Sequence, residues 1–392
     1  MDFPERFSNL PVATWPRLRA LLDVPSQATD VINMTIGEPR HAFPAVVGEI
    51  LAANLQGFAK YPDNNGLPDL LGAISGFLNR RYGLDVPHAQ ICALNGTREG
   101  LYNAAMALCP ETKRGKRPVI LTPNPFYQVY AVAALSVGAE PVYVPATAAT
   151  GHLPDFHALP DDVLDRTAIA YICSPANPQG AVADAEYWRA LIKLAEKHDF
   201  IIFADECYSE IYRDTPPPGA LQIARQMGAH PERVVIFHSL SKRSNLPGLR
   251  SGFCAGGPQS IAQIRQLRAY AGAPLPEPLQ MVASAVWGDE AHVVENRALY
   301  HQKYRVADDI LGGVSGYRSP QAGFFLWLPV GDGEQAAVKL WQQTGVRVLP
   351  GAYLSRDVAG ENPGKGYIRV AMVAPTQEVQ RGLTLIRDCL YR

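Results

Sequence analysis

The chain has 392 residues, of which 47% are hydrophobic and 19% charged, with 36 Lys and Arg against 37 Asp and Glu. This length allows one large α/β domain with a smaller domain attached, and a formal net charge of −1 argues against nucleic-acid binding as the main role. No apolar run has the length of a membrane helix and the first residues lack the basic start of a signal peptide, so we expect a cytoplasmic protein.

Short apolar segments alternate with amphipathic helical ones through the middle of the chain. Helix-length examples are TREGLYNAAMALC (97–109) and AEYWRALIKLAEKHD (185–199). The strand candidates are mostly near-continuous Val, Ile, Ala and Phe, as strands buried on both faces require. They are ICALNG (91–96), PVILTPN (118–124), PVYVPA (141–146), IAYICSP (169–175), FIIFADE (200–206) and RVVIFHSL (233–240). This alternation predicts a largely parallel sheet covered by helices.

The regular alternation of strand-like and helical segments ends after about Gly272. PLPEPLQ interrupts the chain, and a long helix is predicted from Gln280 to about Leu311. Further strand candidates follow, namely GFFLWLPV (323–330), VRVLPG (346–351) and YIRVAMV (367–373). We therefore predict a large domain over residues 45–275 and a smaller α+β domain formed by residues 1–44 and 276–392.

Polar residues follow several of the predicted strands, at the carboxyl edge where open α/β sheets bind ligands. NGTRE (95–99) opens a helix and is suited either to binding a phosphate or simply to capping that helix. PNPFY (123–127) and SPANPQG (174–180) end two strands with Asn-Pro bonds. ADECY (204–208) ends another with two carboxylates, but no further metal ligands stand nearby, and no metal site is expected.

The segment SLSKRSNLPGLRSGF (239–253) ends one more strand. Ser239, Ser241 and Arg250 are able to hold a dianionic phosphate, with the Lys242 amine among them. Lysine forms Schiff bases readily when neighbouring cations and burial lower its pKa. By itself, the segment favours a solvated basic loop over a phosphate site.

Several common sites are absent from the sequence. It has no G-x-G-x-x-G fingerprint, no G-x-x-x-x-G-K-[ST] loop and no G-x-S-x-G elbow. Its six cysteines are scattered without a C-x-x-C pair, so neither a zinc site nor a disulfide framework is predicted.

The order of the motifs carries more information than any one of them. The chain presents YPDNNG at Tyr61, then N-G-T-R-E, P-N-P-F-Y, N-P-Q-G, D-E-C-Y, S-x-S-K with an arginine eight residues after the lysine, and Y-I-R-V at Arg369. This series closely resembles the class I/II aminotransferases, pyridoxal-phosphate enzymes of fold type I, over essentially the whole chain. The resemblance implies an α/β fold in which the large domain has a mostly parallel seven-stranded sheet.

The resemblance also implies a cofactor, pyridoxal 5′-phosphate, held by Lys242 as a Schiff base. Lys242 would then move the proton between substrate and cofactor. Asp205 would pair with the pyridine nitrogen and keep the ring electron-poor. Tyr208 and Asn177 would bind the phenolic oxygen, and Tyr127 would stack on the ring.

The same resemblance assigns the remaining contacts. The phosphate would be held by Ser239, Ser241, Arg250 and the N–H groups around Thr97 and Arg98. The substrate α-carboxylate would be bound by Arg369, beside the Gly37 backbone and Asn177. Tyr61 would reach the phosphate of a neighbouring subunit, which implies a homodimer with shared active sites. The balanced charge and the lack of a long apolar run predict no nucleic-acid or membrane partner.

Several segments are most similar to the N-succinyldiaminopimelate aminotransferases of proteobacteria, among them NMTIGEPRH, DECYSEIY and WGDEAHVVENRALYHQKY. That resemblance implies transfer of an amino group between N-succinyl-LL-2,6-diaminoheptanedioate and 2-oxoglutarate in lysine biosynthesis. Both substrates are acidic at their far end, so Arg356 or Lys365 is expected to give a second cationic contact.

Other functions stay open at this point. One is transamination of aspartate, an aromatic amino acid or a broad range of donors. A fold-type I lyase would reuse the same cofactor contacts, although a carboxylate anchored by Arg369 favours proton removal over its loss. A non-catalytic pyridoxal-phosphate regulator would need a DNA-binding module in addition, for which the chain leaves no room.

Overall fold

The computed structural model describes residues 5–8 and 10–392. Its strands are β1 Ile32–Asn33, β2 Ile91–Leu94, β3 Val119–Asn124, β4 Glu140–Pro145, β5 Thr167–Cys173, β6 Ile201–Asp205, β7 Val234–Ser239, β8 Gly252–Ala255, β9 Phe325–Pro329, β10 Val346–Arg347, β11 Leu349–Pro350 and β12 Tyr367–Ala371. Its α-helices are α1 Thr14–Leu21, α2 Val46–Ala53, α3 Pro68–Tyr82, α4 Thr97–Leu108, α5 Gln128–Ser136, α6 Asp161–Arg166, α7 Ala185–His198, α8 Ala220–Gln226, α9 Leu240–Arg243, α10 Pro258–Ala271, α11 Glu277–Gly288, α12 Ala291–Leu311, α13 Gly333–Thr344 and α14 Thr376–Leu390.

A seven-stranded sheet in the order β2-β8-β7-β6-β5-β3-β4 forms the centre of the molecule. Its strands from β3 to β7 pair in parallel, and only β8 runs antiparallel to its neighbours β2 and β7. Apolar side chains of α3, α7, α8 and α11 cover one face of the sheet, and those of α4, α5 and α10 cover the other. The predicted α/β fold with a mostly parallel seven-stranded sheet is confirmed.

Two features of the chain differ from the pattern-based expectation. Strand β8 was not among the predicted strands, because it is only four residues long and directly follows the polar Lys242 segment. The helix predicted from Gln280 to Leu311 is two helices, α11 and α12. The break occurs at Asp289, which leaves the helical conformation and accepts a hydrogen bond from the Ala291 N–H at 2.9 Å.

A second core lies around the small antiparallel sheet β11-β12-β9. Helices α12, α13 and α14 pack here, and the N-terminal strand β1 pairs in parallel with β10. Helix α11, which the predicted division assigns to the smaller domain, packs instead on α3 beside the large sheet. The position of the domain boundary stays a prediction.

The parallel strands determine where the polar motifs meet. Strands β3, β5, β6 and β7 all end at the same edge of the central sheet, so the motifs that follow them converge there. The bonds Asn124–Pro125, Ser174–Pro175 and Asn177–Pro178 at this edge are cis.

In the part of the chain that the structure describes, no helix is both long and apolar enough to cross a membrane.

Candidate active site

The carboxyl edge of the central sheet opens into a cavity of about 310 Å³. Most of the predicted cofactor residues line it, namely Thr97, Arg98, Tyr127, Asn177, Asp205, Tyr208, Ser239, Ser241, Lys242 and Arg250. The sequence did not single out the other lining residues, which are Ile36, Glu38, Pro123, Phe126, Tyr130, Cys173, Cys207 and Pro247. The structure therefore brings together motifs that lie up to about 150 positions apart along the chain.

Lys242 occupies the short helix α9 at the wall of this cavity. The Ser239 hydroxyl caps that helix by accepting the Ser241 N–H at 3.1 Å. Lys242 Nζ donates to the Gly37 carbonyl at 2.5 Å. Burial lowers the pKa of Lys242 to about 8, since the charged form is poorly solvated there. A large share of this amine is therefore unprotonated, and nucleophilic, at a pH where an ordinary lysine is fully charged.

Asp205 lies at the end of β6 and is 6% exposed. Its carboxylate accepts the Tyr130 hydroxyl at 2.7 Å and the Cys207 N–H at 3.3 Å. Burial raises the pKa of Asp205, and these hydrogen bonds oppose that rise. Within residues 5–8 and 10–392 the carboxylate forms no ion pair, so a cationic ligand group such as a protonated pyridine nitrogen would complete its environment.

The other end of the cavity is positively charged. Helix α4 begins at Thr97, directly after Gly96 at a φ of 81°, and its first N–H groups form an anion-binding helix start. A Cβ on Gly96 would collide with the guanidinium of Arg250, so glycine lets that cation lie against the helix start. Together with Ser239 and Ser241, these groups suit a phosphate dianion. Cations at one end and Asp205 at the other therefore fit pyridoxal phosphate.

Arg98 has a contact that the sequence did not indicate. Its Nε donates to the Tyr127 hydroxyl at 2.7 Å. The Tyr127 ring meets the Tyr130 ring edge-on, with centroids 5.7 Å apart. The Arg98 side chain therefore fixes the aromatic ring that was predicted to stack on the cofactor, whereas only its backbone N–H had been expected to act.

Arg369 on β12 lies beside Asn177 and the N-terminal segment. It donates to Asn177 Oδ1 at 3.1 Å and to the Thr35 carbonyl at 2.7 Å, while its guanidinium lies 4.2 Å from the Phe325 ring centroid. Burial lowers the pKa of Arg369 to about 10, which still leaves it charged at neutral pH. Its buried Nε has no partner in the described part of the chain, as expected of a cation that binds a carboxylate.

The Gly37 position is sterically restricted. A Cβ there would collide with the Phe325 ring, so only glycine lets the backbone approach this closely. Tyr208 packs edge-on against Phe324 and Phe325, with centroids 5.4 and 5.9 Å away. Burial raises the pKa of Tyr208, which keeps its phenol a neutral hydrogen-bond donor.

Gly37 and Arg369 adjoin this cavity without lining it, and three further predicted residues lie away from it. Tyr61 is 101% exposed and contacts no part of the site in its own chain. Arg356 lines a different cavity, together with Tyr143, and Lys365 is exposed. Neither of these cations reaches the cavity that Lys242 lines, so the expected second cationic contact is not provided by them within this chain.

Tyr130 is the main site residue that sequence reasoning missed. It follows Tyr127 by three positions at the start of α5, a spacing that places both on one helix face. That spacing in PNPFYQVY was the available signal. Glu206, the second carboxylate of ADECY, does not line the cavity and accepts the Ala220 N–H at 2.7 Å.

Residues 29–386 of the chain match the family described as "Aminotransferase class I and II". Two similar curated proteins are the LL-diaminopimelate aminotransferases of Dehalococcoides mccartyi and Desulforudis audaxviator. The first is 30% identical over 99% of this chain and 99% of its own length. The second is 30% identical over 100% of this chain and 99% of its own length.

Solved structures agree with this likeness. An aminotransferase from Neisseria meningitidis superimposes with a TM-score of 0.94 at 38% identity, covering 100% of both chains. Aminotransferase AspB from Helicobacter pylori has a TM-score of 0.90 at 32% identity, covering 100% of this chain and 99% of its own.

The lowered pKa of Lys242 predicts the pH dependence of cofactor uptake. The rate at which cofactor-free protein takes up pyridoxal phosphate should rise with pH and level off above about pH 8, because only the unprotonated amine is nucleophilic. Stopped-flow absorbance at constant ionic strength measures this rate. A rise that continues to about pH 10.4, the pKa of an ordinary lysine, would contradict the prediction.

Tyr130→Phe tests the support of Asp205. Losing the hydroxyl removes one of two hydrogen bonds to the carboxylate and should weaken pyridoxal phosphate binding about tenfold, the effect of roughly 1.5 kcal/mol. Tyr171→Phe is the matched control, since Tyr171 stacks on Tyr130 at 4.5 Å but donates to the Leu101 carbonyl. Equal losses of affinity in the two variants would show that Tyr130 acts only by packing.

Proposed function

The chain belongs to the class I and II aminotransferases, which depend on pyridoxal phosphate, and from this premise we propose that it transfers an amino group from N-succinyl-LL-2,6-diaminoheptanedioate to 2-oxoglutarate. The observation that carries the proposal is one cavity lined by a buried amine, a helix start suited to phosphate and a buried carboxylate that forms no ion pair among the described residues. Arg369, placed for an α-carboxylate, adjoins this cavity through Asn177.

Each residue has a separate task in the proposed reaction. Bound pyridoxal phosphate supplies an aldehyde that captures amines and an electron-poor ring that accepts the electron pair left by a departing proton. Asp205 keeps the ring nitrogen protonated, since its buried carboxylate needs a cation. Lys242 Nζ would take the α-proton of the donor and deliver it to the cofactor, so that the donor leaves as a 2-oxo acid, and Tyr208 and Asn177 would bind the phenolic oxygen.

The proposed substrate binding depends on fixed cations. Arg369 binds the α-carboxylate of the donor through two parallel hydrogen bonds, and its own contacts with Thr35 and Asn177 hold it in place. An anchored carboxylate is a poor leaving group, so proton removal is favoured over decarboxylation. This supports transamination over the lyase alternative.

Support for the N-succinyl donor comes from the sequence segments that resemble that group of aminotransferases. The second candidate is LL-2,6-diaminoheptanedioate with a free distal amine. The curated relatives named above are LL-diaminopimelate aminotransferases. In addition, the exposed carboxylate Glu38 lines the cavity, and its charge suits a distal ammonium group.

We propose that the active enzyme is a homodimer located in the cytoplasm. Large apolar side chains are exposed on the segments that flank α2, with Phe43 54%, Leu55 52% and Phe58 54% exposed. Tyr61 lies on the same exposed segment and is free to reach the phosphate site of a partner subunit. The cytoplasm would supply 2-oxoglutarate and keep the six free cysteines reduced.

A panel of amino donors with 2-oxoglutarate as acceptor tests the proposed substrate. N-succinyl-LL-2,6-diaminoheptanedioate should give the highest kcat/KM, about tenfold or more above aspartate, because site contacts made to the far end of the donor add to those at the α-carbon. The panel also holds LL-2,6-diaminoheptanedioate, N-succinylornithine and an aromatic amino acid. A higher value for the unsuccinylated donor would favour the second candidate.

Lys242→Ala tests the reaction class in the same panel and should abolish turnover of every donor, since no other amine lines the cavity in the described part of the chain. Lys339→Ala, which removes an exposed lysine of α13 that bonds the Cys389 carbonyl and does not line the cavity, should leave turnover unchanged. Full transamination by Lys242→Ala would overturn the assignment of this lysine.

A further inference from the structure

Lys303 is a lysine with no solvent exposure that the proposed reaction leaves unused. It lies in the middle of α12, and its Nζ is 2.6 Å from His41 Nε2. It also lies 4.9 Å from the centroid of the Tyr300 ring. A buried ammonium costs free energy unless it is bound by specific partners, so a lysine at this position needs a reason.

The contact with His41 continues into a chain of hydrogen bonds. His41 Nδ1 is 2.8 Å from Asn296 Oδ1, which has no proton and accepts. His41 therefore carries its proton on Nδ1, and its bare Nε2 accepts from Lys303. The Asn296 carbonyl oxygen also accepts from Asn245 Nδ2 at 3.2 Å, and Asn245 donates in turn to the Ala42 carbonyl at 3.1 Å.

The chain of hydrogen bonds ends on α9, the helix that bears the reactive lysine. Asn296 Nδ2 points at the carbonyls of Lys242 and Arg243, at 3.5 and 3.4 Å. Those carbonyls lie at the end of the short helix α9, where backbone acceptors lack helical partners. Asn296 is 4% exposed, so water does not replace it there.

An aromatic contact runs in parallel with the polar one. The Tyr300 ring packs on His41 with centroids 4.7 Å apart and stacks on Phe324 at 5.6 Å. Phe324 in turn lies 5.5 Å from Lys242 Nζ. His41 thus reaches the Lys242 backbone through Asn296, and Tyr300 reaches the Lys242 amine through Phe324. Lys303 contacts both His41 and Tyr300 and so joins the two routes.

We propose that Lys303, His41 and Asn296 are positioning residues for Lys242. Together they form a chain of hydrogen bonds that fixes helix α9 relative to the segment containing Gly37. The segment matters because the Gly37 carbonyl accepts Lys242 Nζ, while His41 lies four residues further along it. Since α12 packs against α14, the chain also ties both functional elements to the smaller sheet's core. The inference rests on the proposed role of Lys242.

The charges around Lys303 affect its protonation but not its hydrogen bond with His41. Arg40 and Glu378 face it from the N-terminal segment and from α14, and they pair with each other at 2.8 Å. Burial lowers the pKa of Lys303 to about 7, with Arg40 acting in the same direction and Glu378 opposing it. Burial also lowers the pKa of His41. A neutral lysine amine still donates an N–H to His41, so the chain persists when Lys303 loses its charge.

A double-mutant cycle on the holoenzyme tests the chain. Lys303→Met removes its first donor and Asn296→Leu removes its contact with helix α9. Each variant should lower kcat about tenfold, as loss of an orienting partner does at metal sites. Each should also shift, by about half a pH unit or more, the midpoint of the pH-dependent visible absorption of the bound cofactor, which reports the proton at Lys242.

If the residues act as one chain, the double variant should be no worse than Asn296→Leu alone, within about twofold. His301→Gln is the matched control, since His301 lies on the same helix but bonds the Tyr212 carbonyl at 2.9 Å, and it should change neither readout. His41→Phe breaks the same link and replaces Lys303→Met in the cycle should that variant not fold.

Two results would overturn the inference. One is an unchanged absorption midpoint and kcat in Lys303→Met, and the other is a double variant whose losses multiply to about a hundredfold. Failure of the proposed role of Lys242 would look different, because the wild-type protein itself would then show no pH-dependent cofactor absorption.

Discussion

The site depends on an amine that is buried in the cavity wall near two arginines. Burial alone would make the Lys242 ammonium unfavourable, and Arg250 and Arg369 act in the same direction, so its pKa falls to about 8. Burial also raises the pKa of Asp205 at the opposite end, where the carboxylate forms no ion pair with any residue that the structure describes. The environments of Lys242 and Asp205 thus both disfavour the charged form. One ligand that bonds to the amine and presents a cation to the carboxylate stabilises both groups.

The backbone makes this arrangement possible at a few positions. Parallel strands bring Asp205 and Lys242 to one sheet edge, and the small sheet brings Arg369 to the same place. Two glycines allow the closest approaches, Gly96 beside the Arg250 guanidinium and Gly37 beside the Phe325 ring. The cavity is thus formed between elements that belong to different cores, and the fixed positions of its charges rest on how those cores pack.

The strand pattern predicted the central sheet because its parallel strands are buried on both faces and read as apolar runs. Strand β8 was not predicted because its four residues, which follow a polar loop, give no such run. The break at Asp289 was not predicted because the helical periodicity continues across it. Most of the residues at the cavity followed from the resemblance of ordered motifs. Tyr130 did not, because its bond to Asp205 joins positions 75 residues apart.

The contacts between distant segments were beyond sequence reasoning for the same physical reason. His41 and Lys303 are 262 positions apart, and nothing local to either one indicates that they meet. Arg356 and Lys365 were chosen for their charge, yet the fold directs Arg356 to another cavity and leaves Lys365 exposed. Charge complementarity identifies what a site needs, whereas tertiary packing decides which residue provides it.

The central claim is that Lys242 is the amine that carries the cofactor. Reducing the holoenzyme with borohydride fixes the cofactor to whichever amine holds it, and peptide mass spectrometry then locates the modification. The account predicts one pyridoxyl group per chain, on the peptide containing Lys242. A modification on another lysine, or none after reduction of a cofactor-saturated protein, would contradict it.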